Sequence, residues 1–336
     1  MKALVTGAAG FIGSSVSHHL LREGYEVIGA DNVNDYYDPK LKLARIERLK
    51  GFSQFKFIRL DIANRELISD LFKREKPSIV AHFAAQPGVR YSLINPHAYV
   101  DSNLTGFVNV LDECRKLPVS HLVYASTSSV YGANRKIPFS EHDTADHPIS
   151  LYAATKRANE LLAHSYSYMF DLATTGLRFF TVYGPWGRPD MALFLFTRKI
   201  LNEEPIDVFN RGKHQRDFSY IDDVALAVSR IINGKPPQKN PNWDATKADV
   251  ATSSAPFRIY NIGCNRRIEL SRYIEVLEEC LGKKAKINYL PLQTGDLEST
   301  YADVSDLIRD FEYQPKTSIE TGIRNFVDWY REFYRI

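Results

Sequence analysis

Cysteine is scarce in this sequence, and long apolar runs are absent. The 336 residues include 3 cysteines, Cys114, Cys264 and Cys280, which form no CxxC pair and no spacing typical of metal ligands. An odd number of cysteines argues against a disulfide framework, so reduced and mostly buried thiols are expected. No run of about 18 apolar residues occurs, and the first residues lack the apolar segment of a signal peptide. We therefore expect a soluble cytoplasmic protein with no metal site and no membrane contact.

An excess of charge of one sign is also missing. Lysine and arginine number 43 against 40 aspartate and glutamate, which gives a formal net charge of +3. So small an excess gives no reason to expect nucleic acid or a membrane surface as the main partner. It is compatible with a local cationic pocket for an anionic small molecule. Hydrophobic residues make up 44% of the chain, and its length suggests about two globular domains with buried cores.

Strand-like and helix-like segments alternate through the first half of the chain. Short apolar runs indicate strands, and several are continuous, as expected for a sheet covered on both faces. The predicted strands span 2–6, 26–30, 55–60, 78–82, 121–126 and 173–181, and the predicted helices span 11–23, 41–50, 65–74, 99–117 and 152–169. This alternation predicts an α/β fold with a doubly wound parallel sheet and right-handed crossovers.

The pattern changes in the second half of the chain. The segment 183–189 is a turn-rich hinge, and the elements beyond it are shorter. We therefore expect a first domain over 1–181 and a smaller C-terminal α/β domain over 182–336. Residues 217–233 and 258–263 are expected to return to the first domain.

A proline-rich stretch interrupts the second half. Residues 234–256 contain four prolines and show almost no periodicity. The composition predicts a long surface loop or lid inside the second domain.

A glycine-rich turn follows the first predicted strand. Gly7, Gly10 and Gly13 form a GxxGxxG that opens the first predicted helix. Glycine is needed where the backbone turns tightly and approaches a pyrophosphate, and the helix N-terminus offers free N–H groups to the phosphates. Asp31 lies about 20 residues further on, where a carboxylate accepts from a ribose 2′-OH and repels a 2′-phosphate. A structural turn and a capping aspartate are the alternatives, but the combined context predicts a dinucleotide site that prefers NAD to NADP.

Tyr152 and Lys156 form a YxxxK pair, which a helix places on one face. An ammonium beside a phenol, whose ordinary pKa is about 10, stabilises the phenolate, so the pair can take a proton from a sugar hydroxyl. An isolated YxxxK is more often a solvated helix face. The serine-rich segment 126–132 lies about 25 residues earlier at a strand end, where open α/β sheets bind their ligands, and this favours the catalytic interpretation.

These motifs together resemble the extended short-chain dehydrogenase/reductases, and among them the nucleotide-sugar epimerases and dehydratases. The resemblance rests on the glycine turn, Asp31, residues 83–85, the segment 126–132 and the YxxxK pair, and it covers essentially the whole chain. It implies a Rossmann-type sheet, bound NAD, and a catalytic role for Thr127 beside the YxxxK pair.

The same resemblance implies which residues contact the cofactor. Asp61 and Ile62 are expected along the adenine, residues 83–85 along the inner ribose, and Lys156 at the nicotinamide ribose. The full expected set is Gly7, Gly10, Phe11, Ile12, Gly13, Asp31, Asn32, Asp61, Ile62, Phe83, Ala84, Ala85, Tyr152 and Lys156.

The predicted helices 99–117 and 152–169 resemble the pair that family members pack into a four-helix bundle between subunits. Covering the sheet of one chain is their alternative role. The resemblance implies a homodimer.

The residues after Thr127 distinguish the branches of the family. Dehydratases carry an Asp-Glu pair where this chain has Ser128 and Ser129, so dehydration is disfavoured. The segments that resemble the UDP-glucuronate 4-epimerases span 86–92, 188–194, 211–223 and 241–243.

Substrate contacts also follow from this resemblance. Arg216 falls where these enzymes hold a diphosphate, and Arg188 falls beside the nucleotide pocket. A guanidinium fork suits a diphosphate, although a single surface arginine is more often a solvated charge. The UDP-glucose epimerases carry an arginine where residues 293–296 read Gln-Thr-Gly-Asp, and an asparagine where this chain has Thr181. Neutral donors such as Thr181 can bind a carboxylate through several hydrogen bonds. The expected substrate-binding set is Arg90, Ser128, Ser129, Thr181, Arg188 and Arg216.

The expected activity is reversible C4 epimerisation of UDP-glucuronate to UDP-galacturonate, through a 4-keto intermediate and transient reduction of tightly bound NAD. The alternatives are a 4-epimerase for UDP-glucose or UDP-N-acetylglucosamine, a UDP-glucuronate decarboxylase, and an NAD-binding regulatory protein without activity. The intact trio of Thr127, Tyr152 and Lys156 disfavours the last of these. The expected partners are a UDP-sugar and a second copy of the chain.

Overall fold

A sheet of seven parallel strands lies at the centre of the computed structural model, which describes residues 1–247, 249–291 and 299–336. Its strands are β1 (Lys2–Thr6), β2 (Glu26–Asp31), β3 (Phe55–Arg59), β4 (Ile79–His82), β5 (His121–Thr127), β6 (Thr174–Phe179) and β11 (Phe257–Ile262). Their spatial order is β11-β6-β5-β4-β1-β2-β3. The strand order reverses between β1 and β4, so the switch point at which such sheets bind ligands lies there.

The helices connect these strands and extend into the second half of the chain. They are α1 (Phe11–Arg22), α2 (Pro39–Lys50), α3 (Arg65–Glu75), α4 (Tyr91–Ile94), α5 (Pro96–Tyr99), α6 (Gly106–Lys116), α7 (Leu151–Phe170), α8 (Ala192–Leu201), α9 (Ile221–Asn233), α10 (Leu270–Leu281), α11 (Ser305–Phe311) and α12 (Ile319–Tyr334).

Both faces of the central sheet are buried under helices. On one face, Val5 of β1 belongs to the same apolar cluster as Leu20 of α1. On the other, Leu4 packs in a cluster with Ile68 of α3 and Val110 of α6. Successive strand residues point to opposite faces, so a strand covered on both sides must be apolar throughout. The predicted α/β doubly wound sheet is confirmed.

After β6, the part of the chain that the structure describes forms three small two-stranded sheets. β7 (Thr181–Tyr183) pairs in parallel with β10 (Phe218–Tyr220), β8 (Ile206–Phe209) pairs in parallel with β13 (Ile287–Leu290), and β9 (Gln215–Arg216) pairs antiparallel with β12 (Ile268–Glu269). The first of these sheets continues directly from β6, so it carries the second half of the chain to the edge where β5 and β6 end.

The helix predicted over 99–117 is interrupted in the structure. A π-helical stretch, Val100–Thr105, separates α5 from α6. The Asn103 carbonyl accepts a hydrogen bond from Asn159 Nδ2 at 2.6 Å, and Asn103 Nδ2 donates to Thr155 Oγ1 at 3.0 Å. These contacts with α7 replace part of the ordinary helical pairing, as is common where a helix bulges near a site.

The proline-rich loop 234–256 lies elsewhere than predicted. It joins α9 to β11, and its described residues pack against the edge of the central sheet, which belongs to the first predicted domain. Ser253 Oγ lies 2.8 Å from His164 Nε2 of α7, and Lys239 pairs with Asp171 at 2.6 Å. Ala251 is fully buried in the cluster that covers one sheet face. The prediction failed because composition indicates a loop but not the surface on which it lies.

Among the described residues, no helix is long and apolar enough to cross a membrane, and no group of histidine, cysteine, aspartate and glutamate side chains could hold a metal ion. Cys114 and Cys264 are buried, and all three cysteines are free.

Gly13 is predicted to be essential for packing of the glycine turn. A Cβ at this position would overlap the carbonyl oxygen of Gly7. Gly13→Ala should therefore lower the free energy of unfolding by about 1–3 kcal/mol, since overpacking forces the backbone apart. Gly51→Ala is the matched control, because Gly51 has φ −62° and its nearest atom would be 3.5 Å away. Urea denaturation checks both variants, and equal midpoints would contradict the steric account.

Candidate active site

A deep cleft lies at the carboxyl ends of β1, β2, β4, β5 and β6. It encloses about 1340 Å³ including its open mouth. The predicted site residues that line it are Gly7, Gly10, Phe11, Ile12, Gly13, Asp31, Asn32, Ile62, Phe83, Ala84, Ala85, Thr127, Tyr152, Lys156 and Arg188. The cleft therefore brings the glycine turn and the YxxxK pair into one continuous space.

The glycine turn presents the start of α1 to the cleft. Gly7 has φ +72°, a conformation that favours glycine, and its N–H donates to the Ala30 carbonyl at 2.8 Å. Gly10 is the residue before α1 and has no side chain to cap the helix. The N–H groups of the first helical turn consequently face the cleft with the positive end of the helix dipole. This geometry fits the pyrophosphate of a dinucleotide.

Asp31 ends β2 with its carboxylate held by backbone N–H groups. The N–H of Val33 donates to Oδ1 at 2.8 Å, and the N–H of Ala9 donates to Oδ2 at 3.1 Å. Burial raises the pKa of Asp31, while these N–H groups and the charge of Lys42 act in the opposite direction. The carboxylate is thus fixed beside the glycine turn, as a ribose-binding acid must be.

Asp61 lies next to this carboxylate but does not line the described part of the cleft. Its Oδ2 accepts from Asn32 Nδ2 at 2.9 Å, and its Oδ1 accepts from the Ala63 N–H at 2.8 Å. Asp61 therefore positions Asn32, which does line the cleft.

Tyr152 and Lys156 lie one turn apart near the start of α7. Ser150 caps this helix by accepting from the Ala153 N–H at 3.2 Å. Lys156 is 2% exposed, and burial lowers the pKa of its amine to about 8, against the effect of Glu160. A pKa this close to neutrality is a mark of functional lysines.

The phenol of Tyr152 is influenced by groups from two other segments. Burial raises its pKa, and the charge of Arg188 and a hydrogen bond with Thr127 lower it. Sequence reasoning named Lys156 as the cation beside the phenol, whereas the cation that lowers the pKa of the phenol in the structure is Arg188. Thr127 ends β5, and its Oγ1 lies 3.2 Å from Ser129 Oγ.

Arg188 enters the cleft from the hinge after β7. Asp190 holds it through two hydrogen bonds, one of them from Nε to Oδ1 at 3.0 Å. Tyr36 donates to the same carboxylate at 3.1 Å. Arg188 and Thr181 also line a smaller cavity of about 350 Å³ that adjoins the cleft. The geometry therefore places one cation and one neutral donor together in a cavity that Phe11, at the start of α1, also lines.

The remaining predicted substrate residues, Ser128, Ser129, Arg90 and Arg216, do not line the described part of the cleft. Ser128 and Ser129 form a short 3₁₀ turn directly after Thr127. The guanidinium of Arg90 lies 5.1 Å from the ring centre of Phe209, and Arg216 Nη1 donates to the Gln215 carbonyl at 3.1 Å. The segment 293–296 lies outside the described residues.

Sequence reasoning missed several residues of the site, among them Tyr36, Lys42 and Asp190. Tyr36 and Lys42 line the cleft, and Lys42 Nζ donates to the Asn34 carbonyl at 2.8 Å. Their segment follows the carboxyl end of β2, which is the edge where ligands bind, and this position was the available signal. Asp190 had no such signal, since its role depends on the orientation of Arg188.

Comparison with known proteins agrees with this geometry. The profile of the NAD dependent epimerase/dehydratase family matches residues 3–244. The chain is 50% identical to Protein CapI of Staphylococcus aureus over 335 residues, covering 100% of both chains. It is 44% identical to a probable UDP-glucuronate 4-epimerase of Rhizobium meliloti, covering 100% of this chain and 98% of the relative.

A solved structure is similar over the same extent. UDP-glucuronic acid 4-epimerase from Bacillus cereus, in complex with UDP-glucuronic acid and NAD, superimposes with a TM-score of 0.86 and 33% identity. The match covers 99% of this chain and 100% of that chain.

Proposed function

Because this chain belongs to the NAD dependent epimerase/dehydratase family, we propose that it is an NAD-dependent 4-epimerase that interconverts UDP-glucuronate and UDP-galacturonate. The observation that carries the proposal is the cleft, which brings the glycine turn together with Tyr152, Lys156 and Arg188. The similarity to UDP-glucuronate 4-epimerases along the whole chain supports the choice of substrate.

NAD fits the residues at the first end of the cleft. The uncapped start of α1 and the carboxylate of Asp31 provide the donor and acceptor groups that its phosphates and ribose require. When bound, NAD supplies a reversible hydride acceptor for C4 of the sugar. The residues proposed to hold it are Gly7, Gly10, Phe11, Ile12, Gly13, Asp31, Asn32, Asp61, Ile62, Phe83, Ala84, Ala85, Tyr152 and Lys156.

Proton transfer is assigned to the residues around Tyr152. Tyr152 takes the proton of the C4 hydroxyl as the alcohol is oxidised, and Thr127 orients that hydroxyl. The cations Lys156 and Arg188 stabilise the phenolate that this step needs, because an opposite charge nearby lowers the pKa of a phenol. After the 4-keto sugar turns its other face to the cofactor, Tyr152 returns the proton. No external reductant is consumed in the cycle.

The sugar carboxylate is proposed to bind near Thr127 and Arg188. The proposed neutral donors are Ser128 and Ser129, directly after Thr127, and Thr181, in the smaller cavity, where Arg188 supplies a positive charge. The 4-keto intermediate is a β-keto acid, which loses CO₂ when the carboxylate bond stands orthogonal to the carbonyl plane. Several hydrogen bonds to the carboxylate would hold the bond between the carboxylate and the ring near the ring plane. The intermediate would then be protected from loss of CO₂. This arrangement favours epimerisation over decarboxylation.

Arg216 is proposed to bind the diphosphate of the nucleotide sugar, and Arg90 is proposed to bind a neighbouring part of the same substrate. Arg216 lies in β9, and the guanidinium of Arg90 lies against Phe209 of β8. A planar guanidinium can make paired hydrogen bonds to phosphate oxygens. We propose that residues 1–181, with 217–233 and 258–263, form the NAD-binding domain, and that the rest of 182–336 forms the nucleotide-sugar-binding domain. The first domain also contributes Arg90, Thr181 and the two serines after Thr127 to the proposed sugar site.

A homodimer is proposed to form through the exposed face of α7 and the segment that precedes α6. Leu93, Ile94 and Val100 are 80%, 78% and 41% exposed, and Leu161 and Met169 are 56% and 60% exposed. Exposed apolar side chains concentrated on neighbouring helices are typical of protein interfaces. We also propose a cytoplasmic location, where free cysteines such as the three in this chain stay reduced.

Tyr152→Phe tests the proposed chemistry. The variant keeps the aromatic ring and deletes the proton acceptor, so turnover of UDP-glucuronate should fall by about 10²–10⁴-fold. NMR of the sugar products measures formation of UDP-galacturonate by both proteins, and bound NAD and circular dichroism should be unchanged. Near-native epimerisation by the variant would remove Tyr152 from the mechanism.

Thr181→Ala and Ser128→Ala test the proposed carboxylate site. Losing a hydrogen bond to a charged group should raise KM for UDP-glucuronate by about tenfold. The looser intermediate should also release some UDP-pentose, which chromatography of the products detects. Ser53→Ala, an exposed serine after α2, serves as control and should behave as wild type. If both site variants keep the native KM and form only UDP-galacturonate, the carboxylate binds elsewhere.

Leu161→Arg tests the proposed dimer. A buried charge at the centre of an apolar interface should weaken association by at least about tenfold, which sedimentation velocity can follow against concentration. Leu67→Arg on α3 is the matched control, since Leu67 is 47% exposed but lies outside the proposed interface. A wild-type protein that sediments as a monomer at all concentrations would contradict the assembly.

A further inference from the structure

The carboxylate of Glu160 is buried beneath the proposed catalytic residues. Glu160 lies on α7, one turn after Lys156 and two turns after Tyr152. Its side chain has no exposed surface, and neither has that of its partner Arg178. Burying a charge is costly unless it is paired and hydrogen-bonded, so this position requires an explanation.

Four hydrogen bonds satisfy this carboxylate. Arg178 donates from Nε to Oε1 and from Nη2 to Oε2, both at 2.9 Å. Ser126 Oγ donates to Oε1 at 2.6 Å, and Arg157 Nη1 donates to Oε2 at 2.9 Å. The charges of Arg178 and Arg157 outweigh the effect of burial, so the pKa of Glu160 is lowered and the group is charged at neutral pH.

Two of these partners stand directly before residues of the cleft. Ser126 precedes Thr127 at the end of β5, and Arg178 precedes Phe179 and Phe180 at the end of β6. One carboxylate therefore fastens the helix that carries Tyr152 and Lys156 to the ends of both strands that face them. A shift of α7 along its axis would break the hydrogen bonds of Glu160 with Ser126 and Arg178 at once.

Glu160 also supplies negative charge close to the buried amine of Lys156. The other ionisable groups that face this region are Tyr152 and Arg157 on α7, His82 on β4, Tyr124 on β5, Arg178 on β6 with Tyr131 against it, and the Arg188–Asp190 pair. His82 is neutral, since burial and the charge of Lys156 lower its pKa to about 3. Of these neighbours, Glu160 is the group that acts to keep the Lys156 amine protonated.

We propose that Glu160 is a positioning residue for the epimerisation: its carboxylate locks Tyr152 and Lys156 against Thr127 and sustains the charge of Lys156, while Arg178 limits the strength of that negative charge. The inference rests on the function proposed above. It assigns to the buried pair a second role besides holding the fold together.

The electrostatic part of this role has a definite sign. A negative charge raises the pKa of both Lys156 and Tyr152, because it favours the ammonium and disfavours the phenolate. Removing Glu160 leaves excess positive charge, so both pKa values should fall. Removing Arg178 leaves the carboxylate less compensated, so both should rise. Activity requires deprotonated Tyr152 and protonated Lys156, so the pH profile of kcat should move in opposite directions in the two variants.

The test compares kcat and KM against pH for the NAD-loaded wild type and four variants. Glu160→Gln should move both limbs of the kcat profile to lower pH, and Arg178→Met should move them to higher pH, each by about one unit. Glu160→Asp keeps the charge but shortens the side chain, so kcat should fall at least tenfold with little change in KM or in the limbs. Arg157→Gln should also move both limbs of the kcat profile to higher pH, by less than Arg178→Met does.

Arg157→Gln keeps the test decisive if a more buried variant fails to fold, because the Arg157 side chain is 11% exposed and lies at the rim of the cluster. Arg115→Gln, at the exposed end of α6, is the control and should leave the profile unmoved. Limbs that stay in place in every folded charge variant, or that move in the same direction in Glu160→Gln and the arginine variants, would overturn the proposal.

A second readout separates this inference from the proposed function. The amine of Lys156 can be titrated by NMR in protein labelled with ¹³C-lysine, with the signal assigned by Lys156→Met. Its pKa should fall in Glu160→Gln and rise in Arg157→Gln, whether or not UDP-glucuronate is turned over. Absence of epimerisation by the wild type with these shifts present would refute the function alone, and unchanged Lys156 titration with normal epimerisation would refute the role of Glu160 alone.

Discussion

Burial of the Lys156 amine beside the Tyr152 phenol is the constraint on which the rest of the site depends. A lysine that is 2% exposed loses most of its hydration, and its charge must be supported by the protein. The support comes from Glu160, whose own charge is in turn supported by Arg178 and Arg157. In this buried network each charged group stabilises the charge of its neighbour. Its hydrogen bonds also connect α7 to the ends of β5 and β6.

A second buried cation, Arg45, connects the glycine turn to the hinge segment that carries Arg188. The side chain of Arg45 donates to the Ala9 carbonyl at 2.9 Å, in the glycine turn, and to the Gly187 carbonyl at 3.1 Å, in the hinge that carries Arg188. It also donates to the Tyr37 hydroxyl and the Trp186 carbonyl. Arg45 thus connects the segment proposed to hold the dinucleotide with the segment proposed to hold the sugar, so the two halves of the site share one rigid frame.

The sequence was sufficient for the central sheet and for the main features of the cleft. Strands such as β1 and β5 contain short apolar runs at their centres, and the spacing of Gly7, Gly13 and Asp31 follows the strand–turn–helix–strand unit that they open and close. The π-helical stretch before α6 could not be predicted, because it depends on Asn159, which lies far along the chain. The same reason explains why the surface on which the loop 234–256 packs was placed wrongly. Long-range partners decide both features, and periodicity carries no information about them. Asp190 was missed for a different reason, since its role depends on how Arg188, two residues earlier, is oriented.

Transfer of the C4 hydrogen tests the account most directly. Epimerisation through bound NAD returns to C4 the same hydrogen that left it, while the hydroxyl proton exchanges through Tyr152 with solvent. UDP-glucuronate deuterated at C4, incubated with the enzyme in ordinary water and examined by NMR and mass spectrometry, should give UDP-galacturonate that retains the deuterium at C4. A UDP-galacturonate that carries solvent hydrogen at C4, or a UDP-pentose as the main product, would contradict it.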